Sequence, residues 1–202
     1  MTGHSARDAN PGAPKSFATG QPMPRILLLR HAPSLTGGRL AGRRDVDADV
    51  SDRAAFDWMR KRIGTVAQTI SSPARRCVKT AENLGLPPDN MSDSLWEQHY
   101  GSWEGMKYRD LPDLGPLSAA DLAQHCPAGG ESFLDMSARV LPELQLIRQD
   151  TLIVAHAGTV RAALSQVVGH AALSFAVAPL SLTIMRRDGD VWSVEAVNIT
   201  GP

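Results

Sequence analysis

Two short runs of branched apolar residues constrain this chain most. Ile26-Leu27-Leu28-Leu29 ends in Arg30-His31, and Thr151-Leu152-Ile153-Val154-Ala155 ends in His156-Ala157-Gly158. Runs of this length, without polar alternation, read as strands buried on both faces of a sheet. In open α/β sheets, ligands collect just beyond the carboxyl ends of such strands. Two imidazoles and an arginine delivered there suit an anion, above all a phosphate group.

The segments between and around these runs alternate in type. A Gly-rich loop from Thr36 to Gly42 follows the first strand, and then a helix carrying Phe56, Met59 and Ile63 on one face. A strand is expected over 65–70. Ser72-Pro73 then opens a helix, because Ser can cap and proline at the first helical position loses no needed hydrogen bond. That helix ends at Gly85 before Pro87. Gln98 to Pro127 is rich in Gly and Pro, with a capping pattern at Ser118–Asp121, and reads as a substrate-facing insertion of irregular chain and short helices. A long helix follows with Phe133, Met136, Val140, Leu144 and Ile147 on one side, and Pro142 should kink it. After the second run come a helix through Val160, Leu164 and Val167 and two strands, near 180–186 and 191–197. The fold class is therefore α/β: a three-layer sandwich with a mostly parallel central sheet flanked by helices on both faces.

Residues 1–24 are dominated by small residues and proline and read as a disordered tail, which leaves 25–202 as a single domain. The 202 residues carry 21 basic and 21 acidic side chains. A balanced chain has no general field for nucleic acid or an anionic membrane, so any positive site must be local. Cys77 and Cys126 are too few for a disulfide framework or a cysteine metal cage. His125 and Cys126 are adjacent, which is not metal-ligand spacing. No apolar stretch has the length of a membrane span, and a cytoplasmic location is expected.

A phosphomonoester needs a nucleophile, a cationic cradle and an acid for its leaving oxygen. Arg30-His31 and His156-Ala157-Gly158-Thr159 occupy matching positions past their strands. Ser71-Ser72-Pro73-Ala74-Arg75-Arg76 is a third strand-to-helix junction, and from spacing alone either arginine could face the site. Between Leu95 and Gly105, carboxylates, aromatics and glycines are packed together, and a carboxyl group walled by Trp and Tyr loses hydration, which favours its neutral acid form. Composition does not separate Glu97 from Glu104. Two other motifs fail: Arg43-Arg44 stand where a nucleotide loop beginning at Gly37 needs Lys and Ser or Thr, and Val50 and Phe56 break the calcium-loop pattern of Asp45, Asp47 and Asp49.

Taken together, these residues resemble the histidine phosphatase superfamily, also called phosphoglycerate mutase-like. The likeness rests on Arg30-His31-Ala32, on Ser71 through Ala81, on Glu97 through Gly105, on Gly129-Gly130-Glu131-Ser132 and on His156-Ala157-Gly158-Thr159-Val160-Arg161. The resemblance implies a phosphohistidine nucleophile at His31, a proton donor at Glu97, and a phosphate held by Arg30, Arg76 and His156. It selects Arg76 over Arg75 and Glu97 over Glu104, and it implies neither metal nor organic cofactor. Ala32 stands where the family usually has Gly, and the family's phosphate-contacting Asn has no clear counterpart; Ser34, Thr36 and Arg39 lie nearest. In style the motifs are most similar to alpha-ribazole phosphatase-type enzymes of cobalamin synthesis. The implied substrate is a small phosphate ester. Rival readings are a phosphoglycerate mutase, a phosphohistidine protein phosphatase and a catalytically silent phosphate-binding scaffold.

Overall fold

A computed structural model describes residues 23–201. Six strands form one sheet: β1 (Arg25–Arg30), β2 (Gln68–Ser71), β3 (Asn90–Met91), β4 (Thr151–Ala155), β5 (Leu182–Asp188) and β6 (Val191–Ile199). Their order is β3-β2-β4-β1-β5-β6. The first four are mutually parallel, while β5 runs antiparallel to both of its neighbours, β1 and β6, and this pair closes one side. The five α-helices are α1 (Arg53–Ile63), α2 (Arg75–Asn83), α3 (Ala119–Gln124), α4 (Phe133–Gln145) and α5 (Ala157–Val168).

The central strands explain the layers. Alternate residues of a strand point to opposite faces. Leu27, Leu29, Leu152 and Val154 pack with Phe56, Met59 and Ile63 of α1 and with Cys77 and Ala81 of α2. Ile26, Leu28 and Ile153 face the other way, onto Met136, Val140 and Leu144 of α4 and Val160 and Leu164 of α5. Both faces are thus covered, and each fully buried aliphatic side chain contributes about 1.5–3 kcal/mol of transfer free energy.

Several boundaries differ from the sequence expectation. The second helix begins at Arg75, with Ala74 at its cap, instead of at Ser72-Pro73. Ser72 lies ahead of that start: its hydroxyl oxygen accepts from Ala74 N at 3.3 Å and contacts His156 Nε2 at 2.9 Å. The expected 65–70 strand occupies Gln68–Ser71. Strand β5 starts only at Leu182, since Leu180 has φ 53°, outside the extended range. The long helix runs three residues past Pro142, and Val140 and Leu144 on either side stay buried. Of the tail expected over 1–24, residues 1–22 lie outside the described residues. Met23 joins the fold through its carbonyl, which accepts from Arg186. Among the described residues, no helix is long and apolar enough to cross a membrane.

Candidate active site

The adjacent parallel strands β2, β4 and β1 all end at the same sheet edge, and each delivers polar side chains there. Backbone pairing fixes the first of them. His31 N donates to Ala155 O at 2.9 Å, and its own carbonyl accepts from Leu180 N at 3.1 Å. Ala32 N donates to Thr80 Oγ1 at 3.0 Å, and Ala32 does not have positive φ, so the Gly-to-Ala departure costs no backbone strain here.

His31, Arg76 and His156 are all buried. The imidazole centroids are 5.2 Å apart with rings at 67°. Arg76 joins them, with Nε 3.3 Å from His31 Nε2 and Nη2 3.3 Å from His156 Nδ1. Two further Arg76 donors go to the carbonyls of Arg44 at 3.0 Å and Gly42 at 2.8 Å. These bonds fix the tautomers, because arginine only donates. His31 Nδ1 lies 2.7 Å from the Ala32 carbonyl and must carry the proton, leaving a lone pair on Nε2. His156 accepts at Nδ1, so its Nε2 carries the proton and donates to Ser72 Oγ.

Charge follows the same geometry. Burial, and then the Arg76 guanidinium, pull the His31 imidazolium down to about pKa 3 from its ordinary 6.5. The same two causes hold His156 well below its usual range. Both rings are neutral near pH 7, and the fixed positive charge comes from Arg76 and Arg30. Burial also lowers the Arg30 pKa from its ordinary value of 12.5. One Arg30 Nη donates to the Val177 carbonyl, while its Nε has no partner.

Arg30, His31 and Arg76 border a cavity of about 220 Å³ that also takes in Glu97, Tyr100, Tyr108, Arg161, Ser34 and Thr36. The structure therefore brings Arg30, His31, Arg76 and Glu97 onto one cavity, with the His156 ring in contact with Arg76 and next to that of His31. Arg75 turns outward and pairs with Asp47 at 3.4 Å, and Lys79 pairs with the same carboxylate at 3.1 Å. Arg39 is spent on the Gly105 carbonyl at 2.7 Å, whereas Ser34 and Thr36 line the cavity.

The two carboxylates separate clearly. Glu104 Oε1 accepts from Arg43 N at 2.9 Å and Tyr100 N at 3.1 Å, tying the 36–44 loop to the 98–104 turn. Glu97 faces the cavity, and a Cβ on Gly158 would lie 2.3 Å from its Oε1. A clamp from α4 holds its backbone: Arg139 donates to the carbonyls of Ser94 and Trp96 at 2.8 Å and of Glu97 at 3.0 Å. Glu131 pairs with Arg139 at 2.6 Å and accepts from His99 N at 2.9 Å. The sequence pointed to Tyr100 as a wall for the carboxyl group, but not to this clamp, nor to Tyr108 and Arg161 in the cavity wall. Glu131 and Arg161 stand inside the family-like motifs, so they carried a signal; Arg139 looks like any helix-surface charge.

Fold and sheet-edge site together define a phosphoric monoester hydrolase of the histidine phosphatase superfamily (branch 1), and the chain belongs to that family, whose sequence profile matches residues 26–200. It is similar to a glucosyl-3-phosphoglycerate phosphatase of Mycolicibacterium vanbaalenii, with 31% identity across 72% of this chain and 74% of the relative. An acid phosphatase of Mycobacterium tuberculosis is 29% identical across 70% of this chain and 74% of the relative. Among solved structures, a mycobacterial glucosyl-3-phosphoglycerate phosphatase shares the fold with TM-score 0.73 and 22% identity, covering 88% of this chain and 100% of that one.

Proposed function

We propose that the chain is a metal-independent phosphomonoesterase that hydrolyses a small phosphate ester through a phosphohistidine on His31. The observation that carries this reading is the His31 ring itself: its Nδ1 proton is tied to the Ala32 carbonyl, which leaves the Nε2 lone pair facing the Arg76 guanidinium. A neutral, oriented imidazole beside a fixed cation is what a nucleophile for a phosphate dianion requires.

In the first step Nε2 attacks phosphorus while the bond to the leaving oxygen breaks. Arg30, Arg76 and His156 hold the equatorial oxygens, His156 through a ring proton freed from Ser72. Glu97 gives its proton to the leaving alcohol. In the second step water attacks phosphorus, the P–N bond breaks, and Glu97 takes the water's proton. Arginine suits the cradle because its planar fork donates in pairs and stays charged. The motif style suggests alpha-ribazole-type esters as substrates, and one relative is named a glucosyl-3-phosphoglycerate phosphatase.

Rapid quenching of the enzyme with a ³²P-labelled aryl phosphate tests the reading. Acid-labile, base-stable label is expected on His31, and His31→Ala should lower turnover by at least about 10⁴-fold while abolishing the label. Label on any other residue overturns the assignment.

A further inference from the structure

A second cavity, of about 180 Å³, lies beneath the 98–127 segment. It shares Tyr100 and Arg161 with the first cavity, and Gly158, against which the Glu97 carboxylate rests, also lines it. Trp103, Leu114, Leu122, Phe133 and Leu173 give it an apolar wall, and Gln98 and His125 add polar atoms at its border. None of its lining residues is acidic, and Arg161 already gives Nε and Nη2 to the Phe175 carbonyl at 3.2 and 3.1 Å. Trp103 is braced by stacking on His125, with centroids 5.3 Å apart and the rings at 23°.

Resting on the phosphatase reading above, we infer that this second cavity receives the leaving group, and that it selects phosphate esters of alcohols bearing an apolar or aromatic ring over those of polyhydroxylated alcohols. Position supports this first. A leaving oxygen protonated by Glu97 sits where the two cavities meet, so the carbon skeleton attached to it extends toward Trp103 and Phe133. Chemistry supports it second. Hydroxyls placed against Trp103, Leu122, Phe133 and Leu173 would lose water and could find partners only toward Gln98, Tyr100 and His125, whereas a ring would gain contact along most of the wall. The space suffices, since apolar protein cavities of about 150 Å³ accept benzene.

The test compares two esters that release primary alcohols, 2-(1-naphthyl)ethyl phosphate and glycerol 3-phosphate, so that the demand for a proton is similar. The wild-type enzyme should favour the naphthyl ester by about tenfold or more in kcat/KM. Leu122→Glu should reduce that ratio about tenfold. The substitution is tolerable for folding because Leu122 is 42% exposed on α3. Leu114→Glu, on a separate stretch of the wall, is expected to do the same. Calorimetric binding of 2-(1-naphthyl)ethanol should weaken in parallel. Equal use of both esters, or a ratio unmoved by both variants, overturns the inference while leaving the phosphatase reading intact. Failure to hydrolyse either ester, with no label on His31, overturns the phosphatase reading, and the leaving-group assignment falls with it even if the alcohol still binds.

Discussion

The sheet-edge cluster and the loop wall opposite it are built on different principles. His31, Arg76 and His156 follow three adjacent parallel strands, are buried, and spend their remaining polar atoms on backbone carbonyls and Ser72. The wall from Gln98 to Pro127 is 3-10 turns and one short helix, held by a few side-chain ties such as Glu104 to the amides of Arg43 and Tyr100. In the proposed reaction the cluster would recognise what every phosphate ester has in common, and the wall would meet what differs between esters. Reaction chemistry and substrate choice would then be carried by regions that can change independently.

Glu97 sits on the border between the two, and its substitution gives the largest effect that tests the division. Glu97→Gln should lower kcat by about 10²–10⁴-fold for an alkyl phosphate, because the alkoxide leaves poorly without a proton. With p-nitrophenyl phosphate, whose leaving group needs no proton, the loss should be far smaller. Equal losses measured on both esters would remove Glu97 from the proton-donor role.

Arg76 belongs wholly to the cluster. Arg76→Ala should cost about 2–4 kcal/mol of transition-state stabilisation, and the loss in kcat/KM should be the same for either leaving group. Arg75→Ala, at an exposed ion pair, should stay within about 1 kcal/mol in stability and leave turnover near wild type. A leaving-group-dependent Arg76 effect would blur the comparison.

A further effect is in stability against pH. In the unfolded chain His31 takes up a proton near its ordinary 6.5, whereas in the folded protein it does so only near 3. The unfolded state thus binds more protons between these values, and stability is lost as pH falls through that window. His31 alone contributes a slope of up to about 1.4 kcal/mol per pH unit. Urea midpoints at pH 7 and pH 5 should differ more in wild type than in His31→Gln. Identical pH slopes would show that His31 is not held neutral by its surroundings.

Legibility from sequence followed the same division. The apolar runs ending in Arg30 and His156 announced β1 and β4, and the Phe56, Met59, Ile63 stripe announced α1, because each pattern is local: a continuous run for the buried strands, a helical period for the stripe. The choice of Arg76 over Arg75 came only by resemblance; their burial depends on how α2 leaves the sheet, and an expected cap at Ser72 misplaced that start. Leu180, with its positive φ, likewise shortened β5 in a way no propensity marks. The Arg139 clamp was invisible because its three carbonyl acceptors lie more than forty positions away in the chain.

The pairing of β2, β4 and β1 has one more consequence. Ile70 and Leu28 both stand opposite Ile153, so the strand ends that carry the cluster are aligned by sheet registration alone. A slip of a single residue would turn those ends to the wrong face. Competence to bind an anion should therefore emerge all at once when the sheet locks, and regain of activity during refolding should track closure of the whole sheet and not the growth of any one part.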